Sequence, residues 1–203
     1  FPWLSAKQIE LGMCPVNAIR VAYTGELGWE LHHPIEMQNY LFDLLEKAGA
    51  PHGMKLVGAR AQNWLRQEKS YRAFGTELGR DATPLEADLP RFVDLSKDFN
   101  GKPAMEAKGI RSKCVTLLID GPADADPWGR EALYARDGTR VGRLTSGGYS
   151  VAFEKSIGMG YVKPDLAVVG TKLQVKMLDQ LWNAEIVEDS PYDPKNTTIR
   201  VDG

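Results

Sequence analysis

Residues 21–31, VAYTGELGWEL, constrain the fold of this chain more than any other segment. A strand-like segment with β-branched and aromatic residues leads into a turn built on Gly25 and Gly28, and a second extended segment follows the turn. Glycine lets the backbone bend tightly and lets a ligand approach it closely. The pattern predicts two strands around this turn. The carboxylates of Glu26 and Glu30 beside it are either solvated at a hairpin or available to a ligand.

Hydrophobic periodicity predicts a strand over residues 15–23 before the turn and two helices after it. The first helix covers residues 34–48, with Gly49 as its stop. The second covers residues 59–69 and places Arg60, Asn63 and Gln67 on one face.

The remaining segments are irregular or rich in short strands. After Tyr71, residues 74–89 contain turn formers with acidic and hydroxyl side chains, which indicates either a binding loop or a solvated one. A short helix is expected over residues 101–108. The later runs predict a compact β-barrel or sandwich, with turns at DGT 137–139 and SGG 146–148. The predicted strands are 113–119, 132–135, 140–145, 156–162, 172–177 and 181–187.

Composition excludes several classes of function. The net charge is -2 over 203 residues, with basic and acidic side chains intermixed, so we expect no nucleic-acid partner and no anionic membrane surface. No apolar run approaches the roughly 18 residues that span a bilayer, and no signal-peptide pattern is present. A soluble globular protein is therefore expected.

The cysteines and histidines do not form a metal motif. Cys14 and Cys114 lie far apart, which favours thiols in a reducing compartment over a disulfide, and a cytoplasmic location is expected. His32 and His33 close the predicted exit strand and are expected at the surface.

The first residues are unusually apolar for a chain terminus. Phe1, Trp3 and Leu4 are typical of a protein interior, whereas natural termini are usually exposed. We therefore expect this chain to be a piece of a longer polypeptide.

Four blocks, in this order, resemble the folate-dependent aminomethyltransferase family. They are YTGELGWEL, RQEKSYRAFGTEL with TPLEADL, FNGKPAMEAK, and GRLTSGGYSVAFEKSIGMGYV. The family includes the glycine cleavage T-protein and the C-terminal folate modules of dimethylglycine and sarcosine dehydrogenases, and the first two blocks look closest to the dehydrogenase type. The resemblance implies an α+β fold: the C-terminal half of the folate-binding aminomethyltransferase domain over residues 1–98, a connector over 99–112, and a small all-β barrel over 113–203.

The resemblance also implies a tetrahydrofolate site and transfer of a one-carbon unit from a small amine or methylated-amine donor. Glu30 would bind the pteridine edge, because a carboxylate offers two acceptor oxygens to adjacent N–H donors. Arg60 would contact the ligand, and the alternative for Arg60 is a salt bridge to Glu30 or another acid. No catalytic residue is assigned, because the family's catalytic aspartate is expected upstream. FAD would belong only to an upstream domain.

Three positions depart from the family pattern. Gln62 stands where Asp is usual, and Ser70 and Asp88 stand where Gly is usual. A side chain at such a glycine matters if the backbone there requires positive φ, although Asp tolerates this better than most residues.

Three functions are open at this point. The chain is a module of a folate-dependent one-carbon transferase, a noncatalytic folate-binding relative, or a structural domain that only inherits the fold. An apolar surface left exposed by the absent half would favour self-association of the isolated chain.

Overall fold

The computed structural model describes residues 1–122 and 124–201. Two compact units are distinguished, one formed by residues 1–62 with 195–203 and the other by residues 63–194. No helix in the described residues is long and apolar enough to cross a bilayer.

The first unit contains a three-stranded antiparallel sheet with the order β1-β2-β3. Its strands are β1 (Ala6–Leu11), β2 (Cys14–Ile19) and β3 (Glu30–His32). β2 alternates between buried and more exposed positions, and Cys14, Val16 and Ala18 pack against Leu41 of the following helix. This alternation is what a strand with one covered face requires.

The helical segment of the first unit is longer than its sequence predicts. A 3-10 turn (Ile35–Met37) leads into α1 (Gln38–Gly49), and a second 3-10 turn (Ala50–His52) follows. The α-helix itself ends at Gly49, which confirms the predicted stop, and the second 3-10 turn continues the helical segment beyond it. The helical segment ends at Gly53, whose φ of 71° gives the left-handed conformation that closes helices.

Helix α2 (Ala59–Glu68) agrees closely with the prediction, and the boundary between the two compact units falls within it, after Gln62. Residues 69–101 contain only turns, an isolated bridge and the 3-10 turn Pro90–Phe92, as their composition predicts. A short helix, α3 (Lys102–Lys108), follows and also confirms the prediction.

The remaining strands form a closed antiparallel barrel with the order β4-β7-β6-β5-β8-β9, which confirms the predicted barrel. Its interior is apolar, with Leu117, Leu133, Leu144 and Val175 fully buried. Burying each such side chain stabilises the fold by roughly 1.5–3 kcal/mol. The strands are β4 (Lys113–Ile119), β5 (Ala132–Tyr134), β6 (Arg140–Ser150), β7 (Lys155–Val162), β8 (Lys172–Met177) and β9 (Gln180–Val187).

The predicted turn at SGG 146–148 is wrong, because these residues lie inside β6 and pair with β7. A Cβ at Gly147 would lie 2.5 Å from the Pro127 carbonyl oxygen, and one at Gly148 would lie 2.1 Å from Trp64 Cδ1. The glycines therefore permit close packing on the strand rather than a change of direction. The predicted turn at residues 137–139 is confirmed, since Gly138 has φ 82° and Asp137 accepts the Thr139 N–H.

Candidate functional site

Glu30 is the first residue of β3, and 53% of its side chain is exposed. Its Oε2 lies 3.1 Å from Nε2 of His32, two residues along the same strand. Residues i and i+2 of a strand share a face, which explains why the two side chains meet. The predicted site residue thus presents a carboxylate to solvent, and His32 is at the surface as expected.

Arg60 is the second residue of α2, and its side chain is exposed. Residues 51–59, which lead into it, are also exposed. The sequence assigns both predicted site residues to one compact unit, and the structure places them there on separate elements.

Arg20, a residue that sequence reasoning did not single out, is buried next to Trp29, the residue before Glu30. Arg20 is 3% exposed and donates to the carbonyl oxygens of Phe1, Ile199 and Val201. Its guanidinium carbon lies 6.0 Å from the ring centroid of Trp29, which is the neighbour of Glu30. A cation at this distance from an indole is attracted to its face.

A signal for Arg20 was present in the sequence. Arg20 continues the apolar alternation of Val16 and Ala18, so it occupies an inward position of the strand. A charged residue at such a position must find partners, and three carbonyl oxygens supply them.

A buried ion pair lies in the second unit, at the C-terminal half of α2. Arg66 Nη1 is 2.7 Å from Glu77 Oε2, and both side chains are at most 1% exposed. Glu77 also accepts from the hydroxyls of Thr76, Thr145 and Ser146 and from the Ala73 N–H. Burial alone would raise the pKa of Glu77, but Arg66 and the hydroxyl groups outweigh it and lower that pKa.

The segment RQEKS, residues 66–70, is buried throughout and is anchored by polar contacts. Ser150 donates to Glu68, and Lys69 donates to the carbonyl oxygens of Tyr192 and Asp193 at 3.0 and 2.7 Å. The charged block RQEKS is therefore part of the interior of the fold and has a structural role.

The carboxylate of Glu77 also has a structural role here, because its oxygens already accept five hydrogen bonds.

The sequence predicts either a binding loop or a solvated loop for the irregular segment after Tyr71. Its carboxylates do not all match either prediction. Glu86 is fully buried and accepts the Thr83 N–H, while its own N–H bonds back to Thr83 Oγ1. Arg111 donates to Glu86 from Nε at 3.0 Å and from its backbone. Burial works to raise the pKa of Glu86, but these donors lower it to about 2.

No group of three or more potential metal ligands occurs among residues 1–122 and 124–201. Both cysteines of the chain are buried and free.

Comparison with known proteins shows the family. The GCVT N-terminal domain matches residues 1–97, and the glycine cleavage T-protein C-terminal barrel domain matches residues 113–193. The mitochondrial dimethylglycine dehydrogenase of Homo sapiens is 41% identical over 196 residues, covering 93% of this chain and 22% of that protein. An aminomethyltransferase of Desulfitobacterium hafniense is 32% identical over 195 residues, covering 94% of this chain and 52% of that protein.

A solved structure shares the fold. The crystal structure of glycine cleavage system aminomethyltransferase T from Bartonella henselae superposes with a TM-score of 0.82 at 23% identity, covering 96% of this chain and 54% of that one. The chain therefore spans about half the length of the aminomethyltransferases it matches and less than a quarter of the human dehydrogenase.

A mixed α and β segment followed by a closed six-stranded barrel defines the aminomethyltransferase fold class. The chain belongs to the glycine cleavage T-protein family, of which it covers only a part. The expected fold and family are therefore both confirmed. That family is in general folate-dependent.

Proposed function

We propose that this chain is part of a tetrahydrofolate-dependent transferase that moves a one-carbon unit from an amine or methylated-amine donor to the folate. The observation that carries the proposal is the match of residues 1–97 and 113–193 to the two domains of the T-protein family, in the family's order. The relatives named as aminomethyltransferases and dimethylglycine dehydrogenases both support it.

Glu30 is proposed to bind the pteridine edge. Its carboxylate is more than half exposed and stands on a strand, which is a more rigid support than a loop. The contact with His32 engages Oε2, so the imidazole can orient the carboxylate before a ligand arrives. Two adjacent N–H donors of a pterin match the two oxygens of one carboxylate.

Arg60 is proposed to contact a carbonyl or carboxylate group of the same ligand. It stands in the first turn of α2 with its side chain exposed, and a guanidinium is suited to planar oxygen acceptors. The catalytic acid and FAD are proposed for the longer protein, upstream of these residues, where the donor would also be selected.

Calorimetric titration of the chain with tetrahydrofolate tests this proposal. We expect stoichiometric binding that Glu30→Gln weakens by roughly tenfold or more, because a charge-assisted hydrogen bond is lost. Glu10→Gln is the matched control, since Glu10 is an exposed glutamate on β1 of the same sheet. Equal affinity of Glu30→Gln and the wild type would contradict the role of Glu30.

Transfer activity of the longer protein separates a transferase from a noncatalytic relative. Binding of tetrahydrofolate without turnover of any methylated amine would support the noncatalytic alternative. The compartment is also a proposal: the buried free thiols agree with a reducing one, and the human relative carries the word mitochondrial in its name. Imaging of the tagged full-length protein would distinguish a mitochondrial from the expected cytoplasmic location.

A further inference from the structure

A second candidate site lies within the unit formed by residues 63–194, apart from Glu30 and Arg60 in sequence. It is a cavity of about 650 Å³ between the turn at residues 80–84, the segment 92–101 and helix α3. This volume falls in the range of roughly 300–1,000 Å³ that is typical of small-molecule sites. Phe92, Phe99 and Met105 line it and supply an apolar surface.

The walls of this cavity are held in place by hydrogen bonds. Lys102 Nζ donates to the carbonyl oxygens of Leu95 and Lys97 at 2.6 and 3.2 Å, which fixes the segment 95–97 against the start of α3. Lys108 Nζ donates to the Asp81 carbonyl oxygen at 2.9 Å, which ties the end of α3 to the turn. The cavity is therefore formed before any ligand binds, and this lowers the entropic cost of binding.

The charge of the lining is strongly unbalanced. Arg80, Lys97 and Lys108 face one acidic residue, Asp94, whose carboxylate lies 3.6 Å from Lys97. Hydrogen bonds from the Ser96 side chain and backbone lower the pKa of Asp94, so it is ionised at neutral pH and offsets only one of the three cations. Within the described residues, Arg80 makes no ion pair.

A further basic residue lies next to Phe92, one of the aromatic residues that line the cavity. The Arg91 guanidinium carbon lies 4.8 Å from the centroid of Phe92, so a further cation stands beside the apolar lining. A site that combines aromatic side chains with a surplus of cations favours a ligand with an apolar body and a negative end.

We propose that this cavity binds a small aromatic or acyl anion, whose carboxylate contacts Arg80 and Lys97 and whose apolar body packs on Phe92, Phe99 and Met105. Among these groups Arg80 gives the most specific recognition, because a guanidinium can bond a carboxylate through two N–H groups. The inference does not depend on the folate site, since it uses none of the same residues.

An NMR titration of the full 203-residue chain with 2-naphthoate tests the proposal. We expect saturable shifts confined to the amides of residues 80–83 and 92–108. The neutral analogue 2-naphthalenemethanol should bind at least about tenfold more weakly, because the charge-assisted hydrogen bonds are absent.

Variants assign the contacts. Arg80→Gln and Lys97→Gln should each weaken 2-naphthoate binding, Arg80→Gln by about tenfold. Lys172→Gln is the matched control, because Lys172 is an exposed lysine whose contact is Glu185 on the barrel, and it should leave the affinity unchanged. Since Arg80 and Lys97 are exposed, the variants are expected to fold, and their amide spectra verify this.

The proposal is overturned by any of three results from a folded protein. These are equal affinity for the anion and the alcohol, shifts that map to other surfaces, and an affinity that neither Arg80→Gln nor Lys97→Gln reduces. Tetrahydrofolate binding can succeed or fail independently of all three, so the two proposals are tested separately.

Discussion

At the scale of single residues, two departures from the family pattern occupy backbone positions that favour glycine. Ser70 has φ 53° and Asp88 has φ 59°. A side chain in this left-handed region costs about 1 kcal/mol, although the two residues differ in what they gain in return. Ser70 Oγ lies 2.7 Å from Thr116 Oγ1 and accepts the Ser190 N–H at 2.8 Å, whereas Asp88 lies 4.0 Å from Arg72 and is half exposed.

Replacing Ser70 and Asp88 by glycine is therefore expected to change the stability of the chain in opposite directions. Asp88→Gly should stabilise the chain by roughly 0.5 kcal/mol, because relief of the left-handed backbone exceeds the loss of a weak ion pair. Ser70→Gly should destabilise it by about 1 kcal/mol, because the buried Thr116 hydroxyl and the half-buried Ser190 N–H each lose a hydrogen bond. Urea denaturation measures both changes, and effects of the same sign would contradict this explanation.

Glu86 predicts a dependence of stability on pH. Its pKa of about 2 in the folded chain lies below its usual value of 4.5, so the unfolded chain takes up the proton first as the pH falls. The stabilisation is complete above about pH 4.5 and is lost between there and about pH 2.

The measurement is the difference in the free energy of unfolding between wild type and Glu86→Gln at several pH values. We expect this difference to shrink steadily as the pH falls through that interval, because the wild-type carboxylate becomes neutral like the amide. A difference that stays constant from pH 7 to the acid end would show that the Arg111 contacts do not hold the carboxylate ionised.

At the scale of elements, the sequence predicts regular periodic segments well and close packing poorly. α2, α3 and the barrel strands follow from apolar spacing and turn residues alone. β1 was missed because its exposed positions carry Ala6, Lys7, Gln8 and Glu10, and it becomes a strand through its pairing with β2. The sequence assigns the glycines of β6 to a turn, because it does not show that Pro127 and Trp64, which are distant in the chain, pack closely against them.

Gly148 tests this account of β6. A Cβ there would lie 2.1 Å from Trp64 Cδ1, so Gly148→Ala requires the indole to move and should cost about 1–3 kcal/mol of stability. Near-ultraviolet circular dichroism should also change, because Trp64 packs edge to face with Tyr149.

The matched control for this substitution is Gly79→Ala. A Cβ at Gly79 meets nothing within 4 Å, and its φ is not in the left-handed region, so stability should be nearly unchanged. If Gly148→Ala were as stable as Gly79→Ala, the close approach of Trp64 would not be the reason for a glycine in this strand.

At the scale of the whole molecule, the family could be predicted from four short blocks, whereas the long-range polar contacts of the buried residues Arg20, Arg66 and Glu77 could not. Glu30 is exposed on a strand as the turn pattern suggests, but Arg20 depends on contacts with residues 199 and 201, far away in the chain. The same holds for the Arg66–Glu77 pair, which involves Thr145 and Ser146 of β6. The alternation of β2 can mark Arg20 as an inward position, but the distant partners of such polar groups become visible only in the folded chain.

Exposed apolar side chains predict self-association of the isolated chain. Phe74 is 91% exposed and lines an apolar depression with Leu78 and Phe92. Exposed apolar patches on soluble proteins commonly mark contact surfaces. In analytical ultracentrifugation we expect a weight-average mass above 22.5 kDa that rises with concentration, and Phe74→Ser should reduce the rise. A monomer at all accessible concentrations would contradict this expectation.

The central claim, that Glu30 recognises a pterin edge, is tested most directly by titrating the chain with a tetrahydropterin that lacks the aminobenzoylglutamate tail, beside tetrahydrofolate itself. We predict that both ligands bind and that Glu30→Gln weakens them by the same factor, because the lost contact is with the ring that they share. If the folded chain bound neither ligand, a preformed pterin site in these residues would be contradicted, and if Glu30→Gln weakened only tetrahydrofolate, the assignment of Glu30 to the pterin edge would be contradicted.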